Sequence, residues 1–391
     1  MNFIARINKL GAFYPLRKVF IQDAMSTTLF PISAPNLESI MLFTRTGPHE
    51  ITSVFLQTIV AEAEDLTTFS FKGNFSGNIS NDLPRFHHLQ RLFINLVDTI
   101  IPMSFLRHIA SSMTSLQSLN IYLYDCRFSH DLDNDRPTYS NTSFTFHSLT
   151  NLNLMGDVKN ILDVLHAPLL ETLSLGGAFT DNSDIPILIR RFNELNSRHA
   201  KDGLKNSSLS FRNSTPIDFA SHLSSFVFYD QLQVLRIKTA QLSIPTSALS
   251  KFLSTNGHWS NLQHLTLNYE KATDAKTLSI TALSLLAQFC PKLAKLEIAI
   301  YHPDQIEKST TRKPHNLHTI VFLNLPTNWN YSIPFSVNFA DFLDQIFPKL
   351  TVAEFAPFSD ALKAARRDWW DGVRATLKLC QRLKGIPTLL I

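Results

Sequence analysis

A short phrase of apolar residues recurs along almost the whole of this 391-residue chain and constrains its fold more than any other feature. The phrase reads Leu-x-x-Leu-x-Leu, with Ile, Phe or Ala as occasional substitutes. Twelve copies occur, two of them weak, with first residues Leu37, Leu66, Leu89, Leu116, Leu149, Leu170, Leu204, Leu232, Leu262, Leu293, Leu317 and Leu350. Successive copies are 21 to 34 residues apart. This repetition predicts a stack of similar units, each of which buries its apolar side against its neighbours.

The spacing inside the phrase predicts a short strand. Its last two apolar positions are two residues apart, so they point to the same side of a strand, and the residues between them face outward. Segments with helical spacing lie between the copies and begin at Ile51, Ser104, Ile185, Ser247, Thr281 and Phe339. We therefore expect an α/β fold, a leucine-rich-repeat solenoid of the ribonuclease-inhibitor-like type. It would contain about twelve irregular strand-helix repeats over residues 1–359, with an irregular first repeat near residues 1–34.

The last copy of such an array would expose its leucines without a cap. Residues 360–391 supply a candidate, because one helical face there carries Leu362, Ala365, Trp369, Val373, Leu377 and Cys380 at steps of three and four. We expect a C-terminal capping helix over this segment. Trp370 lies off the stripe, and we expect it to pack on the neighbouring repeat.

Composition limits the kind of partner and the compartment. The net charge is only +4, and the basic residues are scattered, so nucleic acid is not expected as a partner. Cys126, Cys290 and Cys380 are far apart and form no C-x-x-C pair, which predicts neither a disulfide framework nor a zinc site. No apolar stretch approaches the length of a membrane span, and the first residues lack a secretory signal. We expect a protein of the cytoplasm or nucleus without a membrane partner.

Motifs for catalysis or cofactor binding are missing from the sequence. It contains no G-x-S-x-G, no Walker A loop, no G-x-G-x-x-G and no H-E-x-x-H. Gly176 and Gly177 lack the rest of a phosphate-binding fingerprint, and we interpret them as a tight turn after a repeat strand. We therefore expect no enzyme activity, no catalytic residues and no cofactor.

Two clusters were considered as metal sites. His87 and His88 could join Asp82, but adjacent residues on a strand or loop point apart, so we interpret them as exposed linking residues. The acidic loop within residues 125–145 carries aspartates at alternate positions, from Asp131 to Asp135. It lacks the Gly and the Glu that a calcium-binding EF-hand loop requires, which favours a solvated insertion, with regulation or partner contacts left open. No metal site is expected.

The outward residues of the predicted strands form the concave face of the array, and this face is the candidate site. Aromatic, Met and Arg side chains among polar neutral ones are typical of a protein-binding patch. The residues expected to touch a partner are Arg91, Phe93, Asn95, Asn120, Tyr122, Asn151, Asn153, Met155, Arg236, Lys238, His264 and Asn268. The alternative interpretation is an ordinary sheet surface.

With the repeats and the Trp-containing terminal helix in place, nearly the full chain resembles the leucine-rich-repeat region of fungal F-box-like proteins. The segment KLGAFYPLRKVFI from Lys9 adds to this resemblance, since it is similar to the family's short polar link followed by a Pro-Leu strand. No recognisable F-box opens the sequence, because a Leu-Pro-x-Glu-Leu/Ile segment does not precede the first repeat. The resemblance implies a piece of a longer protein or a homologue without the box.

The function expected from these features is a non-enzymatic scaffold that binds an unidentified protein on the concave face. The resemblance implies substrate recognition for a ubiquitin ligase, with contact to the ligase adaptor only if an F-box is supplied elsewhere. Two alternatives stay open at this point. One is a hydrolase whose site is carried on the solenoid, which would need a pocket with converging titratable groups. The other is a weak nucleic-acid binder.

Overall fold

The computed structural model divides into two compact units, of which unit 1 comprises Met1–Gly177 and Glu194–Asp202, and unit 2 comprises Ala178–Asn193 and Gly203–Ile391. The structure describes residues 17–22, 36–43, 56–57, 59, 61, 63–73, 82–97, 100–124, 127–129, 143–156, 159–178, 190, 203–212, 217–218, 231–255, 259–270, 278–301, 315–324, 332–355 and 363–384. The acidic residues 130–139 and nearly all of the predicted helix from Ile185 lie outside the described residues.

In unit 1 the strands of the main sheet follow one another in chain order, and all neighbouring pairs are parallel. They are β1 (Lys18–Gln22), β2 (Ser39–Phe43), β3 (Thr68–Gly73), β4 (Arg91–Val97), β6 (Ser118–Tyr124), β9 (Asn151–Met155) and β11 (Thr172–Ala178). Two short parallel pairs accompany it, β5 (Ile100–Pro102) with β7 (Arg127–Ser129), and β8 (Phe144–Thr145) with β10 (Leu165–His166). The helices are α1 (Met103–Ser112) and α2 (Lys159–Val164), with a 3-10 turn at Leu83–Arg85.

Unit 2 repeats this arrangement. Its parallel strands are β12 (Asn206–Arg212), β14 (Val234–Ser243), β15 (His264–Glu270), β16 (Lys295–Ala299), β17 (Thr319–Asn324) and β18 (Val352–Phe355), and β13 (Ile217–Asp218) pairs with the end of β14. Its helices are α3 (Thr246–Thr255), α4 (Thr281–Phe289), α5 (Ile333–Ile346) and α6 (Lys363–Leu383). The predicted α/β class and the long run of parallel strands are therefore confirmed.

The repeated phrase is the core of both units. All twelve first leucines are buried, and none is more than 8% exposed. Each is followed, two residues later, by one of the twelve main strands from β2 to β18. Burying a leucine side chain stabilises a fold by about 2 kcal/mol, so the phrase supplies much of the driving force for each repeat.

A turn before seven of the twelve strands extends the repeating unit beyond the phrase. The backbone carbonyl three residues before the first leucine accepts a hydrogen bond from that leucine's N–H, as with Met113 and Leu116 at 3.1 Å. The same bond recurs, at 3.0 to 3.2 Å, from the carbonyls of Ala63, Phe86, Ala167, Trp259, Cys290 and Phe347. All of these residues are buried. The structural repeat therefore begins with an apolar residue that closes a turn, which the sequence interpretation did not include.

Helix α6 packs against α5 and β17 of unit 2. Trp369 stacks on Phe339 of α5, with ring centroids 5.6 Å apart, and Trp370 meets Phe322 of β17 edge-on at 5.9 Å. Both tryptophans are buried, so the expectation that Trp370 packs on a neighbouring repeat is confirmed. Val373 is buried as well, and α5 and α6 thereby close the core beside β17.

The interpretation of Gly176 and Gly177 as a turn is wrong, because both lie inside strand β11. A Cβ on Gly177 would stand 2.9 Å from the carbonyl oxygen of Gly156. Gly156 itself has a φ of +118°, and a Cβ there would be 2.6 Å from the carbonyl oxygen of Leu123. Gly156 and Gly177 thus allow three successive strand backbones of unit 1 to approach closely, and this close approach is the reason that both positions require glycine.

Replacing Gly156 should destabilise unit 1 strongly. Gly156→Ala adds both an unfavourable φ and a clash with backbone, so we expect a loss of about 3 kcal/mol in the free energy of unfolding. Gly177→Ala adds the backbone clash without an unfavourable φ, so it should lower the free energy of unfolding by less. Urea denaturation followed by circular dichroism measures both. Ser174→Ala in the same strand is the control, and equal stability of Gly156→Ala and this control would contradict the account.

Removing the Trp369 ring should open the core between α5 and α6. We expect Trp369→Ala to lower the free energy of unfolding of unit 2 by about 4 kcal/mol, because a large buried ring leaves a cavity. Arg367→Ala, at an exposed position of the same helix, should change it by less than about 0.5 kcal/mol. Thermal unfolding of the full chain distinguishes the two. Similar midpoints for the two variants would show that α6 does not cap the core.

Candidate functional site

The open face of the unit 1 sheet consists of the side chains that alternate with the buried leucines. Parallel register aligns them in rows that cross the strands. The middle row contains Phe20, Met41, Ser70, Phe93, Asn120 and Asn153, and the row beside it contains Phe43, Lys72, Asn95, Tyr122 and Met155. These rows are defined by strand pairing alone, so each residue's neighbours follow from its place in the repeat.

A groove of about 650 Å³ lies on this face over β3. Its position follows from the size of Ser70, which is small and 9% exposed and stands between the larger Met41 and Phe93 in the middle row. The walls are mainly apolar, and Phe20 and Met41 remain 61% and 48% exposed. An exposed apolar groove on a folded protein usually marks a place where another molecule binds.

Two cations border the groove. Lys72 places its Nζ 4.9 Å from the centre of the Phe43 ring. The Nε of Arg91 donates a hydrogen bond to Thr68 Oγ1 at 3.0 Å. Lys72 and Arg91 are the charged residues among those that line the groove, and no described carboxylate lies within ion-pair distance of either. The groove therefore combines apolar walls with positive charge that no described carboxylate neutralises.

Aromatic and amide side chains continue the open face beyond the groove. The rings of Phe93 and Tyr122 are 5.1 Å apart. Asn153 Nδ2 donates a hydrogen bond to the Tyr122 hydroxyl at 2.7 Å, and Asn120 Nδ2 donates to Ser118 Oγ at 3.2 Å. These contacts hold the side chains in defined orientations, which would lower the entropy cost of ordering them in a complex.

The structure brings together only part of the predicted site. Of the predicted residues, Arg91, Phe93, Asn95 and Asn120 line the groove. Tyr122, Asn151, Asn153 and Met155 lie on later strands of unit 1, and Arg236, Lys238, His264 and Asn268 lie in unit 2. No observation tests their contact with a partner, which stays a prediction.

Sequence reasoning missed the part of the groove that β1, β2 and β3 contribute. The missed lining residues with side chains on the open face are Phe20, Met41, Phe43, Thr68, Ser70 and Lys72. The signal was present for all except Phe20, because the same alternation in the first two copies of the phrase places them on the outward side. Phe20 precedes the first copy, and only its pairing with Met41 places it in the groove.

The open face of unit 2 carries a polar cluster. Arg236 Nη2 lies 3.5 Å from His264 Nδ1, and His264 Nε2 lies 3.2 Å from Thr266 Oγ1. The Thr266 hydroxyl donates to Glu297 Oε2 at 3.2 Å, and Lys295 Nζ pairs with Glu297 Oε1 at 2.6 Å. Because Arg and Thr act as donors here, the network assigns a neutral His264 with its proton on Nε2.

Burial and neighbouring charges shift the pKa values of His264 and Glu297 in this cluster. Burial lowers the pKa of His264, the positive charges of Arg236 and Lys295 lower it further, and Glu297 opposes them. Burial raises the pKa of Glu297, but its hydrogen bond with Lys295 and the Lys295 charge outweigh that effect, so this pKa is lowered. The side chains of the cluster hydrogen-bond to one another, and with its proton on Nε2 His264 donates to the Thr266 hydroxyl and does not accept from it.

Two of the candidate metal-binding residues, His87 and Asp82, have other contacts. His87 Nδ1 lies 3.2 Å from the Ser112 carbonyl oxygen, and Asp82 Oδ1 lies 3.8 Å from Arg85 Nη1 and accepts from Gln57 Nε2 at 3.3 Å. Within the described ranges, no group of three or more His, Cys, Asp or Glu residues could hold a metal ion. No helix in the described part of the chain combines the length and the apolar character that crossing a membrane requires.

Comparison with known proteins does not identify a family for this chain. No family model matches this sequence, and no curated protein matches it. Among solved structures, the chain is similar to the plant peptide hormone receptor RGFR1, whose structure was determined in complex with RGF2. Sequence identity is 13% and the TM-score is 0.23, and the match covers 87% of this chain and 65% of the receptor chain, less than two thirds of its length. A likeness at this TM-score carries no argument about fold or function.

The neutral His264 should make the stability of unit 2 depend on pH. Because its pKa is lower in the folded state, the unfolded chain takes up the proton first, and stability falls as the pH drops below about 6.5. The loss of Glu297 interactions begins only below about pH 4.5. Urea midpoints between about pH 7.5 and about pH 5.5 should therefore vary less in His264→Gln than in the natural chain.

Buried His315 contributes to the pH dependence with the same sign, since burial lowers its pKa as well. His264→Gln should therefore reduce the slope of the urea midpoint against pH without abolishing it. Asn268→Ala, in the same strand, serves as the control and should keep the slope of the natural chain. A slope that His264→Gln leaves unchanged would contradict a neutral His264 in the folded state.

Proposed function

We propose that this chain is a leucine-rich-repeat solenoid of the ribonuclease-inhibitor-like type and works as a non-enzymatic scaffold that binds a protein partner. The site is the groove on the open face of unit 1. The observation that carries the proposal is the exposure of Phe20 and Met41 beside Phe93 on a sheet whose other face is filled by leucines. Exposed aromatic and Met side chains with Arg at the border have the composition of a protein-binding patch.

The repeat architecture supports the solenoid part of the proposal. Each copy of the phrase contributes one strand, and the strands of each unit pair in parallel in chain order. Helices such as α1 and α4 fall between consecutive strands of the main sheets. Stacking of this kind leaves one sheet face open over many repeats, and repeat proteins use such extended surfaces for binding.

The chemistry of the groove favours binding over catalysis. Its lining includes no carboxylate, histidine or cysteine, and its two titratable side chains are Lys72 and Arg91. A hydrolytic site needs converging acid, base or nucleophilic groups, and these do not converge here. The scattered basic residues and small net charge likewise favour a protein partner over nucleic acid.

The ligase role remains conditional. Substrate recognition for a ubiquitin ligase, as implied by the resemblance to fungal F-box-like proteins, requires an F-box that is supplied elsewhere. The proposed groove would then hold the substrate. Residence in the cytoplasm or nucleus is the matching prediction for location.

A matched pair of substitutions tests the binding face. Met41→Asp puts a carboxylate among apolar walls, so proteins captured by the immobilised full chain should be recovered about tenfold less than with the natural chain. Val337→Asp makes the same kind of change on α5, where Val337 is 44% exposed, close to the 48% of Met41, and should leave recovery unchanged. Circular dichroism checks that both variants fold. Equal recovery of every captured protein with Met41→Asp would exclude the groove as the site.

A further inference from the structure

The two positive charges that line the groove limit the kind of segment that can occupy it. Lys72 and Arg91 both line the groove, and neither has a described carboxylate within ion-pair distance. The part of the middle row that lies between them contains Met41, Ser70 and Phe93, which carry no charge. An occupant that matches this pattern places apolar surface over Ser70 and negative charge on both sides.

Strand geometry gives the spacing of the two cations. Arg91 pairs in register with Thr68, and Lys72 lies on the same strand as Thr68, four residues later. Four residues of a strand span about 13 Å, and the neighbouring strand adds a lateral step of about 4.8 Å. The two cations are therefore anchored about 14 Å apart, on opposite sides of the apolar middle row.

We propose that the groove binds an extended peptide segment of the pattern acidic-x-apolar-x-acidic. This proposal rests on the proposed function and names the chemistry of the partner. In an extended segment, residues four apart are about 13 Å apart, so two acidic side chains reach Arg91 and Lys72 while the central side chain enters the groove at Ser70. The pattern is symmetric, so it fits in either chain direction.

Amide side chains favour a peptide over a small amphiphile. Asn95 and Asn120 line the groove beside Phe93 and offer donors and acceptors that match a peptide backbone. The Asn95 Oδ1 atom is buried and accepts no hydrogen bond from a described residue. A buried acceptor without a donor costs free energy, and a turn of this amide toward a peptide N–H removes the cost. A fatty acid would neutralise one cation and leave the other without a partner.

Four blocked peptides test the pattern against the full chain by fluorescence anisotropy. The parent is Ser-Glu-Ser-Leu-Ser-Glu-Ser. The second carries Lys at both acidic positions, the third carries Ser for Leu, and the fourth, Ser-Ser-Glu-Glu-Leu-Ser-Ser, keeps the composition but moves the acids together. We expect the second and third to bind about tenfold more weakly than the parent, and the fourth several-fold more weakly. Parent binding should weaken as salt rises from about 50 to about 500 mM.

A charge swap separates recognition from misfolding. The double variant Lys72→Glu/Arg91→Glu should bind the parent peptide about tenfold more weakly or worse, and it should bind the Lys peptide more tightly than the natural chain does. A variant that fails to fold could not show this gain in affinity. Lys251→Glu, which reverses an exposed lysine on helix α3 of unit 2, is the control and should bind the parent like the natural chain.

Three results would overturn the proposal. These are equal affinity for the parent and the Lys peptide, equal affinity for the parent and the rearranged peptide, and binding of decanoate by a chain that binds no peptide. If Met41→Asp still loses the captured proteins while the peptide series shows no preference, the groove remains the binding site and only the acidic pattern is wrong. If Met41→Asp recovers every captured protein as well as the natural chain does, the proposed function itself is wrong, and the acidic pattern has no site to act at.

Discussion

Parallel strand pairing in a single register is the constraint on which the rest of the structure depends. In unit 1, Phe69 pairs with Leu92, and Leu92 with Leu119, so the buried position of one copy stands beside the buried position of the next. A shift of one residue would turn the leucines outward and the polar residues inward. The cost of exposing that apolar row therefore fixes which side chains form the open face. It also fixes how they line up across strands, although the copies are unequally spaced along the chain.

The groove is a consequence of this alignment. Since the rows are set by burial on the other face, a small residue in one strand next to larger residues in its neighbours leaves a depression. Ser70 between Met41 and Phe93 provides it. The same logic explains Gly156 and Gly177, which stand where successive backbones approach too closely for a Cβ. Size changes at aligned positions therefore shape both the surface and the packing, while the strand order stays constant.

Much of the fold could be predicted from the sequence, and the reason is the strength of the repeat. The twelve leucines mark buried positions because apolar residues at fixed spacing lie on one side of the repeat, and burying that side removes them from water. The turn residue three positions earlier was not predicted, since its type varies among Ala, Phe, Met, Trp and Cys. Gly176 and Gly177 were misinterpreted because glycine serves turns and close contacts equally well. For the site, alternation identified Arg91 and Phe93, but Phe20 belongs to no copy of the phrase and needed the observed pairing with Met41.

The two open faces differ in whether their polar groups already have partners, and this difference decides where a ligand would gain most. In unit 2, Glu297 accepts from Thr266 and Lys295, and His264 stays neutral within the same network. A ligand there would have to displace interactions that already exist. In unit 1, the groove presents apolar walls to water, and its cations have no described carboxylate to give up. Binding at the groove would bury apolar surface and add ion pairs without breaking existing ones, which is the physical reason for proposing a recognition site at β3.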